Sequence, residues 1–172
     1  IISYLNLFSC SFNLATLTTR FVFPQFSLEG KRVWSVGMSP LGLVKVVKTK
    51  FAMSTIGSLI VTLGLIFLSC HFLKLDWQRT AYFVGAIAIM TVTMNALAIG
   101  LGVLFPNFKE DNPGKIVSGF GGTFCLVLSF LYIVSSVGML AIGTPWVRRE
   151  NITADPVSVT ISIGGFILLS ML

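Results

Sequence analysis

Charge is what this sequence has least of. Only 10% of its 172 residues are Asp, Glu, Lys or Arg, against about 25% in an average soluble domain. None of them falls in 1–19, 51–73, 80–105, 116–143 or 157–172. Proton- and ion-coupled carriers place ionisable groups at membrane depth, so these uncharged runs argue against a self-sufficient ion-coupled carrier. Catalytic signatures are missing as well. There is no GxxxxGK[ST] phosphate loop, because Gly114-Lys115 is followed by Ile116, and there is no HExxH or GxSxG. Cys10, Cys70 and Cys125 form no CxxC and no metal-ligand spacing. Each lies in or at the edge of an apolar run, where it reads as a small buried hydrophobe. The single histidine, His71, reads as an interfacial residue before it reads as a ligand or proton relay. No cofactor or metal is expected.

What is present is apolar. Hydrophobic residues make up 55% of the chain, and the mean hydropathy of +0.91 is far above what a water-facing surface tolerates. Residues 51–74, 80–105 and 116–143 are each long enough to cross a bilayer, since roughly 20 apolar residues cover a ~30 Å hydrocarbon core. Residues 1–19 and 157–172 read as further spans, the first cut at its start and the second at its end. The expected fold is an all-α, polytopic transmembrane bundle of about five spans. Residues 1–172 form one domain, itself expected to be a fragment of a longer protein.

The net charge of +6 does not point to nucleic acid, because the basic residues sit beside spans rather than in one patch. Loop 20–50 carries six basic residues and loop 106–115 two, against two each in loops 74–79 and 144–156. The excess of Lys and Arg places 20–50 and 106–115 in the cytoplasm and the other two loops outside, and the spans alternate consistently. The lipid bilayer is therefore the first expected partner, in a multi-pass protein of the cell membrane. Trp34, Trp77, Tyr82 and Trp146 fall near the interfaces, where belt residues collect. Ser39-Pro40 reads as an N-cap and first helical position.

Small residues mark the third and fourth runs. Ala96 with Gly100, and Ala98 with Gly102, are two overlapping small-xxx-small pairs, and Gly119, Gly121 and Gly122 open the next run. Such residues let helix backbones approach closely in lipid. Helix packing is the plainer reading, and lining a substrate path the sharper one. Asn95 is the polar candidate in the third run, expected to hydrogen-bond a neighbouring helix before it contacts substrate.

Two loop blocks carry the sharpest signal. The first contains Phe23, Pro24, Ser27, Leu28, Glu29, Gly30, Trp34, Ser39, Pro40 and Lys50. The second contains Gly100, Gly102, Phe105, Pro106, Phe108, Asp111, Asn112, Pro113, Ile116, Ser118, Gly119, Gly121 and Gly122. Together, over about residues 20–145, they resemble the permeases of ATP-binding-cassette exporters of the type 2 superfamily. The resemblance implies a C-terminal portion of a permease subunit, pairing as a homo- or heterodimer of permease halves. It also implies that a partner ATPase subunit hydrolyses ATP, so that this chain is not itself an enzyme. The expected ATPase-coupling loop is Ser27, Glu29, Gly30, Lys31, Arg32 and Trp34. Lys109, Glu110, Asp111 and Asn112 form a second cytoplasmic contact, and Asn95, Gly100, Gly102, Gly121 and Gly122 serve the path or helix packing.

Local chemistry adds three expectations. Phe21, Phe23, Phe26 and Trp34 anchor the first block at the interface. Pro106 and Pro113 stop helices, and Asp111 or Asn112 supplies a cap. The competing reading of the first block is an amphipathic anchor on anionic lipid. It belongs to a membrane-embedded scaffold or accessory protein that binds partners through its basic cytoplasmic loop. An intramembrane enzyme is the least supported class, for want of any catalytic constellation.

Overall fold

The computed structural model describes residues 2–28, 42–108, 110, 112–143 and 156–171. Every regular element among them is helical. The long helices are α1 (Ile2–Leu17), α2 (Gly42–Phe72), α3 (Trp77–Leu104), α5 (Phe120–Gly143) and α6 (Pro156–Met171). A short α4 (Pro113–Ser118) precedes α5. Three segments are long and apolar enough to cross a membrane: Val44–Phe72, Trp77–Leu104 and Phe120–Ala141. Helices α1 and α6 have 16 residues each, about 24 Å, and fall short of the ~30 Å core by themselves.

Helix α1 does not end at Leu17. It widens into a π turn at Thr18–Val22, where the Phe23 N–H reaches the Thr18 carbonyl, and then tightens into a 3-10 turn at Phe23–Gln25. Pro24 supplies the cause. A proline ring clashes with the carbonyl four residues earlier in an α-helix, here that of Arg20, and the wider turn re-registers the backbone. Buried Thr18 turns its hydroxyl back onto the Leu14 and Ala15 carbonyls, 3.0 Å away in each case. Such back-bonding often bends helices.

Helix α3 is central and α2 peripheral. In the apolar window of α3 44% of residues are buried, against 11% in α2. Leu7 and Leu14 of α1, Ile66 of α2, Ile87, Met90 and Met94 of α3 and Ile133 of α5 meet in one apolar core. Within lipid, packing of this kind and interhelical hydrogen bonds, not the exclusion of water, hold helices together. At one end of the bundle the Tyr4 and Phe83 rings pack edge to face at 5.4 Å. There the Ser69 hydroxyl donates to Asn6 Oδ1 at 2.5 Å. The turn from α2 to α3 passes through Lys74 at φ 49°.

The fourth apolar run departs from the expected continuous helix over 116–143. It breaks after Ser118, where Gly119 is extended at φ −72°, ψ 173°. At Gly122 a Cβ would collide with the Val117 carbonyl, so only glycine permits the fold-back of α4 onto α5. Pro113 also differs from expectation, since it opens α4 at its first turn instead of stopping a helix. There its missing N–H costs nothing, because the first helical N–H groups have no intrahelical partner.

Candidate functional site

The end of the bundle opposite Tyr4 gathers both loop blocks. Phe23, expected at the interface, is 1% exposed and buried beneath α3 and α5. Its carbonyl lies where a side chain on residue 102 would sit, 2.7 Å from an ideal Cβ. Gly102 is thus the residue that lets the first block reach the α3 backbone. The Phe23 ring extends to Gly121, 3.0 Å from the corresponding Cβ position, with Phe105 on the same spot at 2.9 Å. A loop, a helix end and a helix start therefore meet at two glycines.

Polar contacts complete the junction. Buried Ser27 accepts a hydrogen bond from the Asn107 N–H at 3.1 Å. The Phe26 and Phe108 rings lie 6.4 Å apart across the same join. Lys50, in the third turn of α2, donates its ammonium to the Gln25 carbonyl at 2.9 Å, a charge-assisted bond at the end of the 3-10 turn. These contacts bring the described parts of the two loop blocks, Phe23–Ser27 and Phe105–Phe108, together at one end of the bundle.

The second loop is capped locally. Asn112 Oδ1 accepts from the Gly114 N–H at 2.9 Å, the N-cap of α4. Half-buried Glu110 pairs with exposed Lys115 at 3.5 Å. Beside this loop Phe105, Phe120 and Phe124 form an exposed ring cluster, with centroids 5.8–6.1 Å apart.

Asn95 lies deeper and away from this junction. It is fully buried; its Oδ1 accepts from the Ser58 hydroxyl of α2 at 3.3 Å and its Nδ2 donates to the Thr91 carbonyl at 2.8 Å. One turn on, the Thr62 and Thr91 hydroxyls share a bond of 3.1 Å. Four polar side chains thus form a short ladder between α2 and α3. Gly100 stands apart from this packing: it is exposed, and no atom lies within 4 Å of its Cβ position. Its partner Ala96 is likewise exposed, so that small-residue pair does not pack and the Ala98–Gly102 pair does. Glu29, Gly30, Lys31, Arg32, Trp34, Lys109 and Asp111 lie outside the described residues, as do Ser39-Pro40 and Trp146.

Sequence reasoning missed the burial of Phe23, the π turn before it and the bond from Lys50 to Gln25. Pro24, six residues after Thr18, was the one local signal for the π turn. No local pattern marks Phe23 as buried, because its partners Gly102 and Gly121 lie some 80 and 100 positions away in the chain.

The arrangement defines a class: an all-helical, membrane-spanning bundle in which the described parts of two loops pack together at one end as a cap. Within that class, residues 1–172 match the protein-family model described as "Putative ATP-binding cassette", and the chain belongs to that family. The description names the nucleotide-binding part of such systems, whereas the described residues form apolar helices. Comparison with curated proteins finds no match, and neither does comparison with solved structures.

Proposed function

We propose that this chain is part of a permease subunit of an ATP-binding-cassette exporter, moving substrate across the cell membrane while a separate ATPase subunit hydrolyses ATP. The observation that carries the reading is the cap. Force from an ATPase reaches helices only through a stiff element. Phe23 against Gly102 and Gly121, with Ser27 on Asn107, joins the ends of α1 and α3 to the start of α5. Family membership and the uncharged spans support the same reading. Movement of the cap would tilt several helices together, because packed interfaces shift as units.

The ATPase contact is assigned to residues around the cap, exposed Leu28 and half-buried Glu110 among those described, together with the basic stretch that follows Leu28 in sequence. Two such chains would enclose the path. The test is photo-crosslinking in native membranes, with a photoreactive side chain at Leu28 or Glu110 of the full-length parent protein. A nucleotide-sensitive crosslink to an ATP-binding-cassette ATPase is the expected outcome. Crosslinks to lipid alone, with insertion confirmed, would overturn the reading in favour of a lipid-anchored scaffold.

A further inference from the structure

A groove runs between α1 and α5, and a single cation, Arg20, stands at one end of it. The lower end, beside the cap, is a cavity of 730 Å³ reached by Arg20 and Phe21 of the π turn, Gly114 and Ser118 of α4, and Thr123 of α5. Its upper continuation is a hollow of 40 Å³ walled by Phe12, Ala15, Phe130 and Ile133. Thr16 and Leu126 line both, so the two adjoin as one trough that is mainly apolar, with Arg20, Thr19, Ser118 and Thr123 at its lower end.

Arg20 is the only charged residue among the described residues that line the trough. It makes no ion pair among the described residues. Of the two described carboxylates, Glu110 is engaged by Lys115, and Asp76 sits at the far end of the bundle before α3. Arg20 is the first charged residue after the uncharged run 1–19 and stands in the π turn that ends α1, where an apolar span meets the headgroup region and cations collect. A guanidinium that has no ion pair among the described residues and faces an open cavity, with an apolar trough leading from it, matches an anionic amphiphile. Guanidinium binds phosphate with a planar, forked donor set.

We propose that the α1–α5 trough is a binding site for one anionic phospholipid of the adjacent leaflet, its phosphate on Arg20 and an acyl chain along Thr16, Leu126 and Phe130. The lipid bridges the π turn of α1 to α4 and α5, and so bears on the same junction as the cap. This inference stands without the permease reading, because it requires neither an ATPase nor transport.

The experiment uses the purified full-length parent protein in neutral detergent, with phosphatidylglycerol or phosphatidylcholine added. Retained lipid is counted by native mass spectrometry and thermal stability is followed in parallel. One retained phosphatidylglycerol, stabilising more than phosphatidylcholine, is expected. Arg20→Gln should lower its occupancy about fivefold, as loss of one interfacial cation does, and Arg20→Lys should restore part of it. Lys48→Gln removes an exposed cation outside the trough and should change nothing. Leu126→Trp, which fills the trough, should expel the lipid with Arg20 intact. Equal losses from Lys48→Gln and Arg20→Gln would overturn the site in favour of diffuse charge attraction. Undiminished occupancy in both Arg20→Gln and Leu126→Trp would overturn it outright, as would photolipid labelling that avoids Thr16 and Thr123.

Discussion

The Ser27 hydroxyl accepts a hydrogen bond from the Asn107 N–H at 3.1 Å, across 80 positions of sequence. It is the polar pin of the cap, beside the apolar contact of Phe23 with Gly102. Removing it tests whether the two loop blocks act as one body. Ser27→Ala should cost about 1 kcal/mol, the usual net worth of such a bond, and lower the melting midpoint by about 2–4 °C. Thermal unfolding in detergent reads this directly, and an unchanged midpoint would mean that the pin carries no load.

Gly100 and Gly102 are two residues apart on one helix and should respond oppositely to the same substitution. Gly102→Ala places a Cβ 2.7 Å from the Phe23 carbonyl, and overpacking of this kind costs about 1–3 kcal/mol. Gly100→Ala meets open space and should be neutral or stabilising by up to about 1 kcal/mol through helix propensity. Paired stability measurements decide it. Equal effects would remove the Phe23 carbonyl as the cause.

The ladder of Ser58, Thr62, Thr91 and Asn95 predicts a modest coupling. A double-mutant cycle on Ser58→Ala and Asn95→Ala should return about 0.6 kcal/mol, typical of interhelical polar pairs in membranes. The same size is expected for Thr62→Ala with Thr91→Ala. A coupling near zero for the first pair, with activity lost in Asn95→Ala, would reassign Asn95 to the substrate path.

Lys74 holds a left-handed backbone at φ 49°, a conformation that costs a non-glycine residue about 1–2 kcal/mol. Lys74→Gly should relieve this and raise the melting midpoint. A fall would show that the lysine side chain matters more than the turn.

Sidedness is open to chemical labelling. In a cysteine-free background, Lys48→Cys and Glu110→Cys should react with a membrane-impermeant maleimide only from the cytoplasmic face, and Asp76→Cys only from outside. These positions lie at the two ends of the bundle and are not buried. Labelling of all three from one face would break the alternation of the spans.

Much of this architecture was legible residue by residue. Hydropathy adds along a chain, so the three membrane-length helices stand out from the sequence alone, and so does a cap at Asp111 or Asn112, which the structure gives to Asn112 through the Gly114 N–H. What was not legible is which side of each helix meets which neighbour. A soluble helix announces its buried face by an apolar stripe, but helices apolar all round carry no such mark. Hence Gly100 and Gly102 look alike in sequence, and Phe23 looks like an interfacial aromatic.

The sequence by itself determined that this is a helical, membrane-spanning chain with two distinct loop blocks, because length, hydropathy and charge placement are local properties. Only the tertiary structure decided that Phe23 is buried against Gly102 and Gly121, that α4 folds back at Gly122, and that Arg20 faces an open trough. Those facts depend on helix rotation and on contacts between segments far apart in the chain, and steric fit sets both only once the helices have packed.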